Sequence, residues 1–249
     1  MSAGVGVADG KSLAAVTVAR QWRRDRRFYT GMGLVCALAV FAGFAPTYYL
    51  RSFSGRPALA PLLHLHGLIF TSWIVLFFVQ TTLVAAKRTD LHKRLGIAGG
   101  VLTVLMVGVG FAAAVASARR GFTPPGGPPP LVFFVIPIAD LIVFSTLVGT
   151  SLYFRRRSAI HKRLMLLATI SLLTPAIARM SIVAPGGLLA FFGLTDVVVI
   201  ACMAYDRIAT GRVHPAFWWG GLFVIASLPL RLAVAGTSAW LAFATWVTR

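Results

Sequence analysis

Between Ile69 and Ala86 the chain carries a single strongly polar side chain, Gln80. A run of about 20 largely apolar residues is what the hydrocarbon core of a bilayer requires of a helix. Comparable runs recur at approximately 29 to 50, 62 to 86, 95 to 117, 131 to 154, 160 to 183, 187 to 205 and 216 to 235. The expected fold class is therefore all-α, a polytopic membrane bundle of seven transmembrane helices. Composition agrees, since 58% hydrophobic residues, 12% charged residues and a mean hydropathy of +0.83 exceed what a soluble chain of this length shows.

The formal net charge of +18 would suggest nucleic acid in a soluble protein. Here the basic residues gather in short loops between apolar runs, where they set orientation. With the amino terminus inside, 17 Lys and Arg fall on the cytoplasmic side, within 1–28, 87–94, 155–163 and 207–212. Five fall opposite, Arg51, Arg56, Arg119, Arg120 and Arg249. This excess places the amino terminus inside, the carboxyl terminus outside, and membrane lipids, not nucleic acid, as the surrounding partner. Tyr48 and Tyr49 at the outer interface and Tyr153, Tyr205, Trp218 and Trp219 at inner helix ends fit that arrangement.

Three parts follow: a basic tail over 1–28, a seven-helix domain over 29–236, and an outer interfacial segment over 237–249 that Thr237 or Ser238 can cap. The tail lacks a small-residue cleavage site, and its GKS lacks the glycine and strand of a phosphate loop. The proline- and glycine-rich stretch 121–130 forms an external loop. Cys36 and Cys202 lie within apolar runs and read as free buried thiols.

The segment TDLHKRLG aligns with SAIHKRLM at an offset of 69, matching His92 to His161. Thr89 and Ser158 occupy equivalent positions as N-caps, and His214 before Pro215 forms a weaker third copy. The plan is one leading helix followed by three hairpins, each with a histidine at its inner bend. Lys93, Arg94, Lys162 and Arg163 oppose the helix dipole and call for a negative partner, either phospholipid headgroups or an anionic cofactor. In the cofactor reading His92 and His161 are axial ligands to haem iron, with the four bases holding its propionates. So positive a surrounding disfavours a bare metal cation.

HLHG, LHKRLG and IHKRLM resemble motifs of bacterial multi-pass membrane proteins, and the spaced helix-end histidines are distantly similar to b-type cytochromes of the b561 kind. The resemblance covers residues 60 to 180 through short motifs. It implies haem b, a quinone or other redox partner, a bacterial inner membrane, and His66, His92 and His161 as candidates. A two-haem relay needs a ligand pair near each face, however, and the outer face offers only His64 and His66. These point about 200° apart on one helix and cannot sandwich one haem, leaving Met180 as the only outer substitute.

The outer half holds a second constellation, with Asp140 and Asp196 each about 13 Å deep and Arg179 and Arg231 about one turn from the outer helix ends. The order Asp, His, Arg repeats as Asp140, His161, Arg179 and Asp196, His214, Arg231. The expected pairs are Asp140 with Arg179 and Asp196 with Arg231, either as structural locks or around a cavity that His66 faces. Three functions stay open: a haem b or quinone-linked redox protein, a small-solute or proton-coupled transporter, and a non-catalytic assembly protein. No serine elbow, HExxH or paired-carboxylate motif supports hydrolysis.

Overall fold

The computed structural model describes residues 5–124 and 126–249, with side chains at Val16 and from Ala19 onward; residues 1–4 of the basic tail lie outside it. Helix α1 (Val5–Phe44) runs into a wider turn at Ala45–Tyr49. Helices α2 (Pro61–Ala85) and α3 (Thr89–Arg119) form the first hairpin. The second consists of α4 (Pro130–Phe133) leading into α5 (Val135–Tyr153), then α6 (Ser158–Ser171) followed by α7 (Thr174–Ile177). The third is α8 (Gly187–Thr210) with α9 (Pro215–Ala235), and α10 (Ser238–Val247) closes the chain.

Seven segments are long and apolar enough to cross a membrane, and the described residues contain no strand. Outward side chains such as Leu38, Leu68, Val104, Ile142, Val197 and Leu230 are exposed and apolar, the surface a lipid-facing bundle needs. This is a multi-pass helical membrane protein.

Proline sets the two interruptions. Pro137 has no N–H to offer Phe133, where α4 ends, and Pro175 has none for Ser171, where α6 ends. The polarity boundary near residue 28 is not a structural one, because α1 passes through it unbroken for about 60 Å at 1.5 Å per residue.

Helix α6 occupies the middle. Leu166, Leu167, Ala168, Thr169 and Ile170 span more than one turn and each is 0% exposed, so this helix is enclosed on every side. It packs against α1, α5, α8 and α9, while α2 reaches it through Trp73 Nε1, which donates to Thr169 Oγ1 at 3.3 Å. A helix without lipid contact need not be strongly apolar, and this span is the least apolar and most buried of the seven. Glycine allows the closest approaches: a Cβ on Gly43 would overlap the Ala176 carbonyl, and one on Gly67 the Tyr48 ring. In α3, Gly110 packs against Leu141 and Phe70, whereas Gly100 and Gly108 face open space.

The expected caps differ in detail. Thr89 and Ser158 are the first helical residues, preceded by Arg88 and Arg157, and neither helix has a side-chain cap. His214 is itself a cap, its Nδ1 accepting the Ala216 N–H at 3.1 Å. Thr237 caps α10 as expected, accepting from Trp240 N at 3.2 Å. That short helix is anchored by Trp240 Nε1 donating to the Leu131 carbonyl and Arg119 Nε donating to that of Thr248.

Candidate functional site

Polar side chains concentrate in two layers near opposite ends of the bundle. Along α2 the buried or half-buried residues His66, Phe70, Trp73, Phe77 and Gln80 follow at three- and four-residue steps, so one stripe of this helix touches both layers. From His66 to Gln80 the rise is about 21 Å. Between them Trp73 meets Phe144 edge-on at 4.9 Å, and with Phe77, Met106 and Leu166 they make a packed apolar plug.

At one end, the repeat-related residues His92 and His161 meet. Their ring centroids are 6.2 Å apart and their planes are inclined at 78°. Each histidine is the fourth residue of its helix, and each is fixed by a polar residue of the preceding helix. Gln80 Nε2 donates to the His92 carbonyl at 3.2 Å, and Ser151 Oγ donates to that of His161 at 3.0 Å. The fully buried Ser151 also presents its carbonyl to His161 Nδ1 at 3.0 Å and its hydroxyl oxygen at 2.9 Å. A carbonyl only accepts, so Nδ1 is the donor in this contact, and in the neutral ring that leaves the lone pair on Nε2. An imidazole held by a carbonyl behind and free to donate in front is the usual state of a metal ligand. His92 Nδ1 is buried without a hydrogen-bond partner, as is Gln80 Oε1.

The bases assigned to this site by sequence divide. Lys162 pairs with Asp25 of α1, and Arg163 pairs with Asp206 of α8 through Nη2 and, at 3.1 Å, through Nε. Asp206 Oδ2 further accepts the His214 N–H at 2.7 Å. Tyr205 donates to Asp25 and stacks on Phe28 with centroids 3.6 Å apart. The expected role of Lys162 and Arg163 in holding an anionic cofactor is thus corrected: protein carboxylates already answer them. Lys93 and Arg94 are exposed and form no ion pair with described residues.

Among the described residues no three His, Cys, Asp or Glu side chains converge. The histidine pair therefore suits a metal only where two protein ligands suffice, as they do for haem iron. In donor chemistry, two neighbouring imidazoles would suit such a group. Of the four bases assigned to the site by sequence, Lys93 and Arg94 are the two without a carboxylate partner among the described residues.

At the other end a single pair, Asp140 with Arg231, replaces the two expected. Arg231 Nη1 donates to Asp140 Oδ1 at 2.7 Å, both residues are buried, and the guanidinium lies 4.9 Å above the Phe192 ring. Arg179 does not reach Asp140: beyond the break at Pro175 it is exposed, donates to the Pro175 carbonyl at 2.6 Å and sits 4.6 Å over Phe44 of α1. Asp196 is half-buried and makes no ion pair with the described residues. The physical reason is packing across hairpins, since α5 abuts α9 and Arg179 is turned toward α1.

His66 does not join that cluster. It stacks on Phe70 at 4.1 Å, its Nδ1 is buried without a partner, and its charged neighbour is Arg179. His64 points elsewhere and is exposed, its backbone carbonyl accepting from Tyr48 at 3.1 Å. Ser151, Asp25 and Asp206 were not singled out by sequence. The repeat could have found Ser151 and Gln80, because each precedes its histidine by about one loop.

No protein-family model, curated protein or solved structure matches the chain.

Proposed function

We propose that the protein is an inner-membrane redox protein of bacterial type in which His92 and His161 hold one b-type haem at the cytoplasmic end of the bundle. The observation that carries this reading is the meeting of two repeat-related imidazoles at 6.2 Å, one with its Nε2 lone pair freed by the Ser151 carbonyl. Haem, when bound, supplies one-electron chemistry that no side chain of this chain provides.

The rest of the end-layer orients and encloses. Ser151 fixes the tautomer and ring plane of His161, and Gln80 fixes the backbone carrying His92. The Lys162–Asp25 and Arg163–Asp206 pairs tie α1, α6 and α8 together beneath the site. Lys93 and Arg94 are the bases left to meet an anionic edge. The aromatic plug around Trp73 supports redox over transport, because a solute crossing this conformation would have to pass it. The 17 to 5 distribution of basic residues supports a cytoplasmic amino terminus, so the histidine end faces inward.

Purification from haem-replete cells and measurement of haem per chain tests the assignment. About one haem in the wild type, lost in both His92→Ala and His161→Ala while His64→Ala keeps it, is the expected outcome. Haem retained by the two alanine variants, or absent from folded wild-type protein, refutes it.

A further inference from the structure

The histidine end balances its buried charges, but the opposite end does not. Arg163 answers Asp206 and Lys162 answers Asp25, whereas in the other layer Arg231 stands near two carboxylates and binds one. The remaining carboxyl, Asp196, lies nine residues into α8, about 13 Å from its start. An unpaired carboxylate at such depth is costly and is expected to find a donor or a proton.

A second observation concerns Arg231 itself. It is 4% exposed, yet its Nε is buried and has no hydrogen-bond partner. Asp140 occupies Nη1 only. The guanidinium rests on Phe192, and Asp196 follows Phe192 by four residues, on the same face of α8 one turn along. A donor lacking an acceptor and an acid lacking a base thus lie in one neighbourhood, on two helices that pack together.

The other surroundings of Asp196 are neutral. Arg231 comes from α9 and Asp140 lies behind it on α5. On the α7 side Thr174 is hydrogen-bonded to Thr195 at 2.9 Å, and Arg179 is turned away onto Phe44. With both acids ionised the trio would carry one net negative charge, and with one proton bound it carries none.

We propose that Asp196 is a reversible proton-binding site whose carboxylate, once ionised, closes onto the free Nε of Arg231. The proton comes from water and adds to a carboxylate oxygen; on release it returns to water and the carboxylate takes the guanidinium N–H as its donor. Binding and release therefore make and break a contact between α8 and α9, independently of whether the histidine end holds haem. Asp140, held by Nη1, competes with Asp196 for the single guanidinium.

Infrared titration of the protein in lipid nanodiscs tests this. The wild type should show a protonated-carboxyl C=O band that grows as pH falls and that Asp196→Asn abolishes. Asp140→Asn should keep the band but move its midpoint to lower pH by roughly 1–3 units, the effect of leaving an arginine to one carboxylate alone. Asp196→Asn changes a half-buried residue with no ion pair and is the arm expected to fold in any case. A band that survives in Asp196→Asn with the same midpoint overturns the proposal, as does the absence of any titrating band in the wild type. An unmoved midpoint in folded Asp140→Asn overturns the competition for Arg231.

Discussion

Asp140 and Arg231, 91 residues apart in sequence, meet at 2.7 Å and join the second and third hairpins. Breaking a buried pair by removing one partner leaves an uncompensated charge and costs about 3–5 kcal/mol. Asp140→Leu and Arg231→Met should each destabilise the bundle by that order, and the double variant should recover part of the loss. Arg179→Gln, which breaks no ion pair and removes a bond to the Pro175 carbonyl and a contact with the Phe44 ring, should cost much less. Denaturation in detergent with a double-mutant cycle checks this, and strict additivity for 140 with 231 contradicts it.

That pairing shows where sequence reasoning reached and where it stopped. Seven spans were legible because a run of apolar residues with few charges has one interpretation in a bilayer. The meeting of His92 with His161 was legible because a local repeat with the same residue at each bend puts both at one end. Which charges touch was not: the Asp, His, Arg order suggested pairs within hairpins, but α6 takes the centre and brings α5 beside α9. Basic side chains in the first turn of a helix oppose its dipole, and Lys162 and Arg163 do have anionic partners. Nothing in local sequence said that Asp25 and Asp206, 137 and 43 residues away, would supply them.

Gly67 and Gly43 are expected to resist substitution for steric reasons. Gly67→Ala drives a methyl into the Tyr48 ring and Gly43→Ala one into the Ala176 carbonyl, overpacking that costs about 1–3 kcal/mol. Gly100→Ala and Gly108→Ala meet nothing and should stabilise slightly, by up to about 1 kcal/mol from helix propensity. Thermal melts of the four variants separate close packing from propensity; equal effects at all four contradict the packing.

His214 provides a pH dependence outside the spans. Burial pushes its imidazole below the ordinary value and the Arg163 charge adds to this, while Asp206 opposes. The neutral ring is also the form that can accept the Ala216 N–H. A folded-state value below the unfolded one means that the unfolded chain binds the proton more readily. The contribution is therefore complete above about pH 6.5, and it is lost as pH falls through the folded value. His214→Asn, which keeps a capping acceptor without the titration, should flatten this part of the stability profile below about pH 6.5. A wild-type profile that the substitution leaves unchanged rules out His214 as its source.

The 17 to 5 distribution of basic residues predicts the orientation. A reporter active only in the cytoplasm, fused after Arg249, should be silent, and one active only outside should report. Reversed activities contradict a cytoplasmic histidine end.

The most direct test of the account is the dithionite-reduced minus oxidised absorption spectrum of detergent-purified protein, taken for the wild type, for His92→Ala and His161→Ala, and for Ser151→Ala. A sharp low-spin b-type band is expected in the wild type and absent from both histidine variants. In Ser151→Ala, which keeps the carbonyl but loses the hydroxyl, it should be present and altered in haem retention or midpoint potential. A colourless, folded wild-type protein from haem-replete cells, or a band indifferent to both histidines, contradicts the account.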